Sequence, residues 1–199
     1  SYVRLSTVNP RLIYASISGF GQDGPYRDRP GYDQIVQGMS GLMWLTGTDE
    51  VAPLRVGIPV GDLLAGYFCA LGILAALIER AQSGKGQWVS TSLLEALAGS
   101  LSFQAVKYLN TGEVPPPVGN HHPLTAPMGV YRTGDGYMNL AVGNDDMFAR
   151  LGGALGQPGL ARDERFARSG ARGKNRCALD EILLAALATR PTAEWIETL

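Results

Sequence analysis

A chain of 199 residues, 45% of them hydrophobic, carries enough apolar surface to bury a sizeable core in one domain or two. Seventeen basic residues stand against eighteen acidic ones, a formal net charge of -1 with no basic block, which argues against nucleic acid or an anionic membrane surface as a partner. Cys69 and Cys177 lie in separate segments without zinc spacing, the pattern of two reduced thiols in a cytoplasmic protein.

Residues 11–18, with Leu12, Ile13, Tyr14 and Ile17 between Asn9-Pro10 and Gly19, predict a buried strand. Gly19-Phe20-Gly21-Gln22-Asp23-Gly24 then fits G-x-G-x-x-G. That fingerprint needs a helix opening at its third glycine to meet a pyrophosphate, and Pro30 blocks one. Arg27, Arg29 and Tyr32 form a cationic and aromatic rim on the same loop. Such a rim suits phosphates and an adenine ring, and it equally describes a solvated loop with a tyrosine lid, the commoner case. A helical stretch opens at Gly31-Tyr32-Asp33 and runs through Ile35, Val36, Met39 and Leu42.

The most informative stretch is residues 56–66, which sets one carboxylate, Asp62, at the mouth of the longest apolar run. No side chain from Leu63 to Ile78 is charged, and the run is shorter than the about 20 residues of a bilayer span. It predicts a helix buried in a soluble core. Asp62 stands at the helix start, where it can act as the N-cap for the orphan N–H groups of the first turn. Gly57 and Gly61 leave its approach without bulk, and Gly66 falls four residues on, along the same helical face. A glycine inside a helix costs about 1 kcal/mol relative to alanine, so the cleared space calls for a reason of packing or access. An accessible carboxylate can be a nucleophile as well as a cap.

The helix is predicted to end near Gln82, closed by Ser83-Gly84-Lys85-Gly86, with a short strand at Gln87-Trp88-Val89-Ser90. Ser92-Leu93-Leu94-Glu95 is a capping box, opening a helix striped by Leu94, Leu97, Leu101, Ala105 and Tyr108. Three prolines in residues 113–118 suggest a linker between a first domain, residues 1–112, and a second, residues 119–199. His121 and His122 are adjacent on an extended segment and so point to opposite faces, which argues against a shared metal and for a mobile polar loop. A hairpin turning at Thr133-Gly134-Asp135-Gly136 follows, then helices capped by Asn144 and Asn175, making a small α+β domain. The closing helical pattern of Trp195, Ile196 and Leu199 lacks a C-cap, and one strong strand before the apolar helix makes no sheet for it to pack on. The chain reads as the central part of a longer one.

In order and spacing, several stretches together resemble the class III (CaiB/BaiF) CoA-transferases. They are Asn9-Pro10-Arg11-Leu12-Ile13-Tyr14, residues 19–25, Arg29-Pro30-Gly31-Tyr32-Asp33, Gly61-Asp62, Gly72-Ile73-Leu74-Ala75-Ala76-Leu77, Thr111-Gly112, Gly119-Asn120 and Asp135-Gly136-Tyr137. The resemblance implies an α/β fold: part of a Rossmann-like large domain joined to a small α+β domain, in an interlocked homodimer. It implies Asp62 as the catalytic nucleophile towards an acyl-CoA thioester. Arg29, Pro30, Gly31 and Tyr32 would line the coenzyme A site, and Gly119, Asn120, His121 and His122 would match the region of the substrate-covering loop, here without a continuous glycine run. Coenzyme A enters as substrate, a carboxylic acid as co-substrate, and no metal is implied.

Two other readings remain at this stage. The 2-methylacyl-CoA racemases share the fold but carry histidine where this chain has Tyr32, and a phenol is a poor base near pH 7. A non-catalytic CoA-binding relative would keep the fold without the chemistry.

Overall fold

Helix α1 (Tyr2–Val8) leads into strand β1 (Tyr14–Ser18) in a computed structural model that describes residues 1–199. The chain divides into two units, Ser1–Gly119 and Asn120–Leu199. In the first, the loop after β1 returns to helices α2 (Asp33–Met39) and α3 (Leu42–Thr46), and helix α4 (Val60–Ser83) carries the chain to β2 (Trp88–Ser92). β1 and β2 pair in parallel, from Tyr14 opposite Trp88 to Ser18 opposite Ser92. A parallel pair needs such a crossover, and α4 supplies it.

Glycines permit two close backbone crossings beside β1. A Cβ on Gly31 would lie 2.6 Å from the Gly19 Cα, and a Cβ on Gly86 would collide with the Leu12 carbonyl group. Both contacts are with backbone, which has no rotamer to change.

The stretch from Tyr32 to Leu42 reads as one helix but is two, α2 and α3, because Gly41 takes a left-handed φ of 87° between them. The stripe from Leu94 to Tyr108 is likewise broken. Helix α5 (Leu93–Ser100) stops and α6 (Ser102–Thr111) begins at Ser102, whose φ is 53°. Ser92 does cap α5 as its sequence predicts, its Oγ accepting the Glu95 N–H at 3.1 Å. Leu101, Ala105 and Tyr108 line a largely apolar cavity of about 490 Å³ with Trp44 and Pro115. The proline stretch belongs to this first unit: Pro115 and Pro117 are buried, and the Trp44 Nε1–H donates to the Pro115 carbonyl at 2.9 Å.

Helix α4 departs from its expected burial. Its inward residues are small, with Gly61, Ala65, Cys69 and Ala76 buried, while Leu63, Tyr67, Leu71, Leu74 and Ile78 are exposed. The expectation of a helix buried all round is therefore corrected. At 24 residues α4 is also longer than its uncharged run, and by length and composition alone it could cross a bilayer. Its small-residue face instead packs against β1, β2 and α5 within a layered α/β unit. The core of that unit is Val36, Ala65, Leu93, Ala96 and Leu97.

The second unit is built on the antiparallel hairpin β3 (Met128–Arg132) and β4 (Tyr137–Ala141). Its turn is closed by the Thr133 Oγ1, which accepts the Gly136 N–H at 3.1 Å. Around it stand α7 (Asp145–Ala154), a 3-10 turn at Pro158–Arg162, α8 (Ser169–Lys174), α9 (Arg176–Leu187) and α10 (Thr192–Thr198). Phe148, Phe166, Leu179, Leu183 and Trp195 are buried in its core. Asn144 caps α7, accepting the Met147 N–H at 2.8 Å. Asn175 makes no side-chain cap on α9; its amide donates back to the Ala171 and Arg165 carbonyls instead.

The glycines of the first unit differ in a way that denaturant unfolding of the full-length protein can read. Gly31→Ala is expected to cost about 1–3 kcal/mol, because the added methyl overlaps backbone. Gly66→Ala, with nothing within 4 Å of the new Cβ, is expected to gain up to about 1 kcal/mol from helix propensity.

Candidate active site

Asp62 is not the N-cap of α4. The helix starts earlier, with Pro59 at the N-cap position and Asp62 in the first turn, and no side chain of the helix's own cap bonds to it. Pro59 has no N–H for a first-turn carboxylate to reach back to, so the reciprocal capping arrangement is closed to Asp62. The work of satisfying the helix start falls to another residue. Asp33, 7% exposed, accepts the Gly61 N–H on its Oδ1 at 2.9 Å.

Asp33 is held in turn by two further donors. Gln37 Nε2 donates to its Oδ2 at 2.8 Å and Arg55 Nη2 donates to the same oxygen at 3.0 Å. Gln37 also accepts the Val56 N–H at 2.9 Å and donates to the Ile58 carbonyl at 3.2 Å. A buried carboxylate with three donors, one of them a guanidinium, has the compensation that burial of a charge requires. Asp62 itself is exposed, and a Cβ on Gly57 or Gly66 would meet nothing within 4 Å. Gly61 is different: it is buried, and a Cβ there would sit 3.1 Å from Val36 Cγ2 and 3.2 Å from Leu97 Cδ1. Gly57 and Gly66 thus border open space, while Gly61 serves packing.

The Asp33 to Gly61 bond also joins two stretches singled out in the sequence, since Tyr32 precedes one partner and Asp62 follows the other. Tyr32 is 72% exposed, and its carbonyl accepts the Ile35 and Val36 N–H groups that begin α2. Arg29 stacks over the Tyr26 ring with its guanidinium carbon 4.3 Å from the centroid, and Tyr26 meets Phe20 edge to face. Arg29 and Pro30 are exposed, and Gly31 has its packing reason against Gly19. The loop after Gly24 opens no helix, in keeping with the block at Pro30.

Gly119 closes the first unit with a positive φ of 56°, its N–H donating to the Gly47 carbonyl at 2.8 Å. Asn120, His121 and His122 open the second unit. The sequence predicts a mobile loop here, yet the His122 N–H donates to the Met128 carbonyl at 2.8 Å and the Asn120 carbonyl accepts the Val130 N–H at 3.3 Å, so the segment pairs with β3. Two backbone N–H groups of this segment, those of Gly119 and His122, are therefore engaged. The His121 ring meets Tyr131 edge to face, and the Tyr131 hydroxyl donates to Asp180 at 2.8 Å. Burial, reinforced by Asp180, raises the Tyr131 phenol far above its ordinary value and keeps it neutral.

Sequence reasoning missed Asp33, Gln37 and Arg55. A signal was present, because Asp33 and Gln37 stand four residues apart and so share one helical face with the core residue Val36 beside them.

The site is thus an exposed carboxylate in the first turn of α4, on a helix start that the Asp33 to Gly61 bond ties to the stretch carrying Arg29 and Tyr32. The pattern described as CoA-transferase family III matches residues 1–199, and the chain belongs to that family. It is 44% identical over 182 residues to the succinate–glutarate CoA-transferase of Agrobacterium fabrum, covering 92% of this chain and 46% of that protein. It is 40% identical over 200 residues to the acetyl-CoA:oxalate CoA-transferase of Acetobacter aceti, covering 100% and 51%. Among solved structures, a CaiB/BaiF family protein from Brucella suis superposes with a TM-score of 0.82 at 41% identity, covering 99% of this chain and 52% of that one. The chain spans about half the length of the relatives it matches.

The second unit holds three carboxylates below their ordinary range. Donation from the Thr192 backbone N–H and hydroxyl lowers Asp135, Arg172 followed by Arg168 lowers Asp145, and Arg165 lowers Asp163. A depressed folded pKa contributes stability that is present above the unfolded value, about 3.9, and is lost as pH falls through the folded value. In denaturant unfolding of the full-length protein, Asp145→Asn should be less stable than the parent at pH 7. That gap should close as the pH is taken below about 4.

Proposed function

We propose that the full-length protein moves CoA from an acyl-CoA thioester to a free carboxylic acid, with Asp62 as the nucleophile. The observation that carries this reading is the exposed Asp62 carboxylate in the first turn of α4, relieved of capping by Asp33. Family membership and the named CoA-transferases among its relatives support the same reaction type.

The Asp62 carboxylate attacks the thioester carbonyl, the C–S bond breaks, and CoA leaves as a thiolate from a mixed aspartyl anhydride. The thiolate attacks the Asp62 carbonyl of that anhydride, which forms the aspartyl thioester and releases the first acid as its carboxylate. An acceptor carboxylate then attacks the aspartyl thioester, freeing the thiolate again, and the thiolate attacks the acceptor's carbonyl in the new anhydride. Asp62 is returned as a carboxylate, and no net proton is consumed. A carboxylate is a weak nucleophile, so binding of the remote nucleotide end of CoA has to hold the thioester in line.

Arg29, Pro30, Gly31 and Tyr32 are our candidates for that binding, a guanidinium for phosphate and an exposed ring for the base. Residues 119–122 are the candidate substrate loop, with Gly119 and His122 N–H groups already engaged by backbone carbonyls. The relatives' names include succinate, glutarate and oxalate, and a short dicarboxylic acid is accordingly the acceptor class we infer. We place the enzyme in the cytoplasm, in keeping with its two free thiols. The Rossmann-like large domain and the interlocked homodimer belong to this proposal too, supported by the apolar face that α4 leaves uncovered in its unit.

The kinetics of the full-length protein test the reading. Because Asp62 makes no cap bond, Asp62→Ala should fold as the parent does and lose at least about a thousandfold in kcat. Transfer at the parental rate by Asp62→Ala would exclude the mechanism, and α-proton exchange without transfer would point to a racemase.

A further inference from the structure

The segment that delivers Asp62 is held at three points by two side chains of α2. Gln37 clamps residues 56 and 58, through the Val56 N–H and the Ile58 carbonyl, and Asp33 clamps residue 61 through the Gly61 N–H. Between residues 56 and 58 lies Gly57, where an added Cβ would meet nothing within 4 Å. Arg55, at the start of the same segment, adds its ion pair to Asp33 at 3.0 Å. Every one of these contacts ends within a few residues of Asp62, and none involves the Asp62 carboxylate.

We infer that Asp33 is a positioning residue for the transfer reaction: its buried carboxylate fixes the first turn of α4 through Gly61 and so aims Asp62 while leaving it chemically free. This rests on the reading of Asp62 as nucleophile given above. Two carboxylates divide the tasks that one usually performs at a helix start. Asp33 accepts the orphan N–H, and Asp62 keeps both its oxygens for a substrate. A nucleophile as weak as a carboxylate depends on alignment, and a misplacement of about 1 Å can cost about a hundredfold in rate.

The geometry dictates an informative pair of variants. In Asp33→Asn the Oδ1 can still accept the Gly61 N–H, but the new NH₂ group faces two donors, Gln37 Nε2 and Arg55 Nη2. Gln37 cannot rotate its amide to help without giving up the Val56 N–H. Adding Gln37→Glu restores the match at position 33 but not at Ile58, whose carbonyl loses the Gln37 donor. The new carboxylate at position 37 accepts from the new amide at position 33 and from the Val56 N–H, and returns the negative charge beside Arg55.

The test compares full-length parent, Asp33→Asn, the Asp33→Asn/Gln37→Glu double variant and Asp62→Ala, each checked for folding by circular dichroism and thermal midpoint. Asp33→Asn is expected to lose about 10- to 100-fold in kcat while the KM for acyl-CoA holds, and the double variant, which lacks only the bond to the Ile58 carbonyl, to regain part of the loss. A purely structural role would move the thermal midpoint without that split or that rescue. A folded Asp33→Asn with parental kcat overturns the inference, and so does a folded double variant that stays as slow as the single one. Should Asp33→Asn fail to fold, Asp33→Glu decides, since it keeps the charge but moves the acceptor by one methylene: a lowered kcat at unchanged KM supports the inference, and parental kcat in the folded protein overturns it. Asp62→Ala separates the two claims. If it is inactive while Asp33→Asn is unimpaired, only the positioning inference fails; if Asp62→Ala is itself active, the reading of the reaction fails.

Discussion

The bond from the Gly61 N–H to the buried Asp33 carboxylate ties together stretches 28 positions apart in the chain. On one side it ends the loop that follows β1 and starts α2; on the other it starts α4. Breaking it would leave a buried carboxylate short of a donor and a helix start short of an acceptor, and both penalties fall on the same few atoms. Tyr32 and Asp62, both exposed, are the chain neighbours of its two partners. Charge balance comes from Arg55, which is partly exposed, while the uncharged Gln37 is fully buried and does the geometric work of spacing the loop.

Helix α4 shows a similar division of tasks along its length. Its buried positions are small, and Gly72 brings it so near the sheet that a Cβ would lie 2.6 Å from Val89 Cγ1. Close approach of helix to strand is what places the first turn, and Asp62 with it, at the carboxyl-terminal edge of the two parallel strands, where β1 ends at Ser18 and β2 at Ser92. Open parallel sheets characteristically present ligand sites at that edge. Leu64 packs on the core, but Leu63, Tyr67, Leu71, Leu74 and Ile78 remain outward, a face too apolar for a solvent-exposed surface of its extent.

Much of this was legible because it follows from local chemistry. β1, the apolar α4, the capping box at Ser92, the hairpin at Thr133-Gly134-Asp135-Gly136 and the cap at Asn144 each have a short-range cause and form where their residues direct, although β1 covers only Tyr14–Ser18 of the expected 11–18 and is not the buried strand expected, with Ile17 47% exposed. What the sequence concealed is long-range. The N-cap role assigned to Asp62 went to Asp33, which no local pattern links to Gly61. The breaks at Gly41 and Ser102 bend two apparently continuous helices, and hydrophobic periodicity does not register a break whose stripe simply continues on the next helix. Periodicity also misjudged α4, since a run of apolar residues looks the same whether its large members face inward or outward. The candidate site was therefore visible as a residue, Asp62, and hidden as a network.

The central claim is that Asp62 becomes covalently attached to CoA during turnover. Its most direct test is to incubate the full-length protein with acyl-CoA alone, quench with hydroxylamine, and map the modified residue by tandem mass spectrometry. The account predicts an aspartyl hydroxamate at Asp62, formed only when acyl-CoA is present. A protein that turns over acyl-CoA while Asp62 stays unmodified, or that carries the adduct on another side chain, would contradict it.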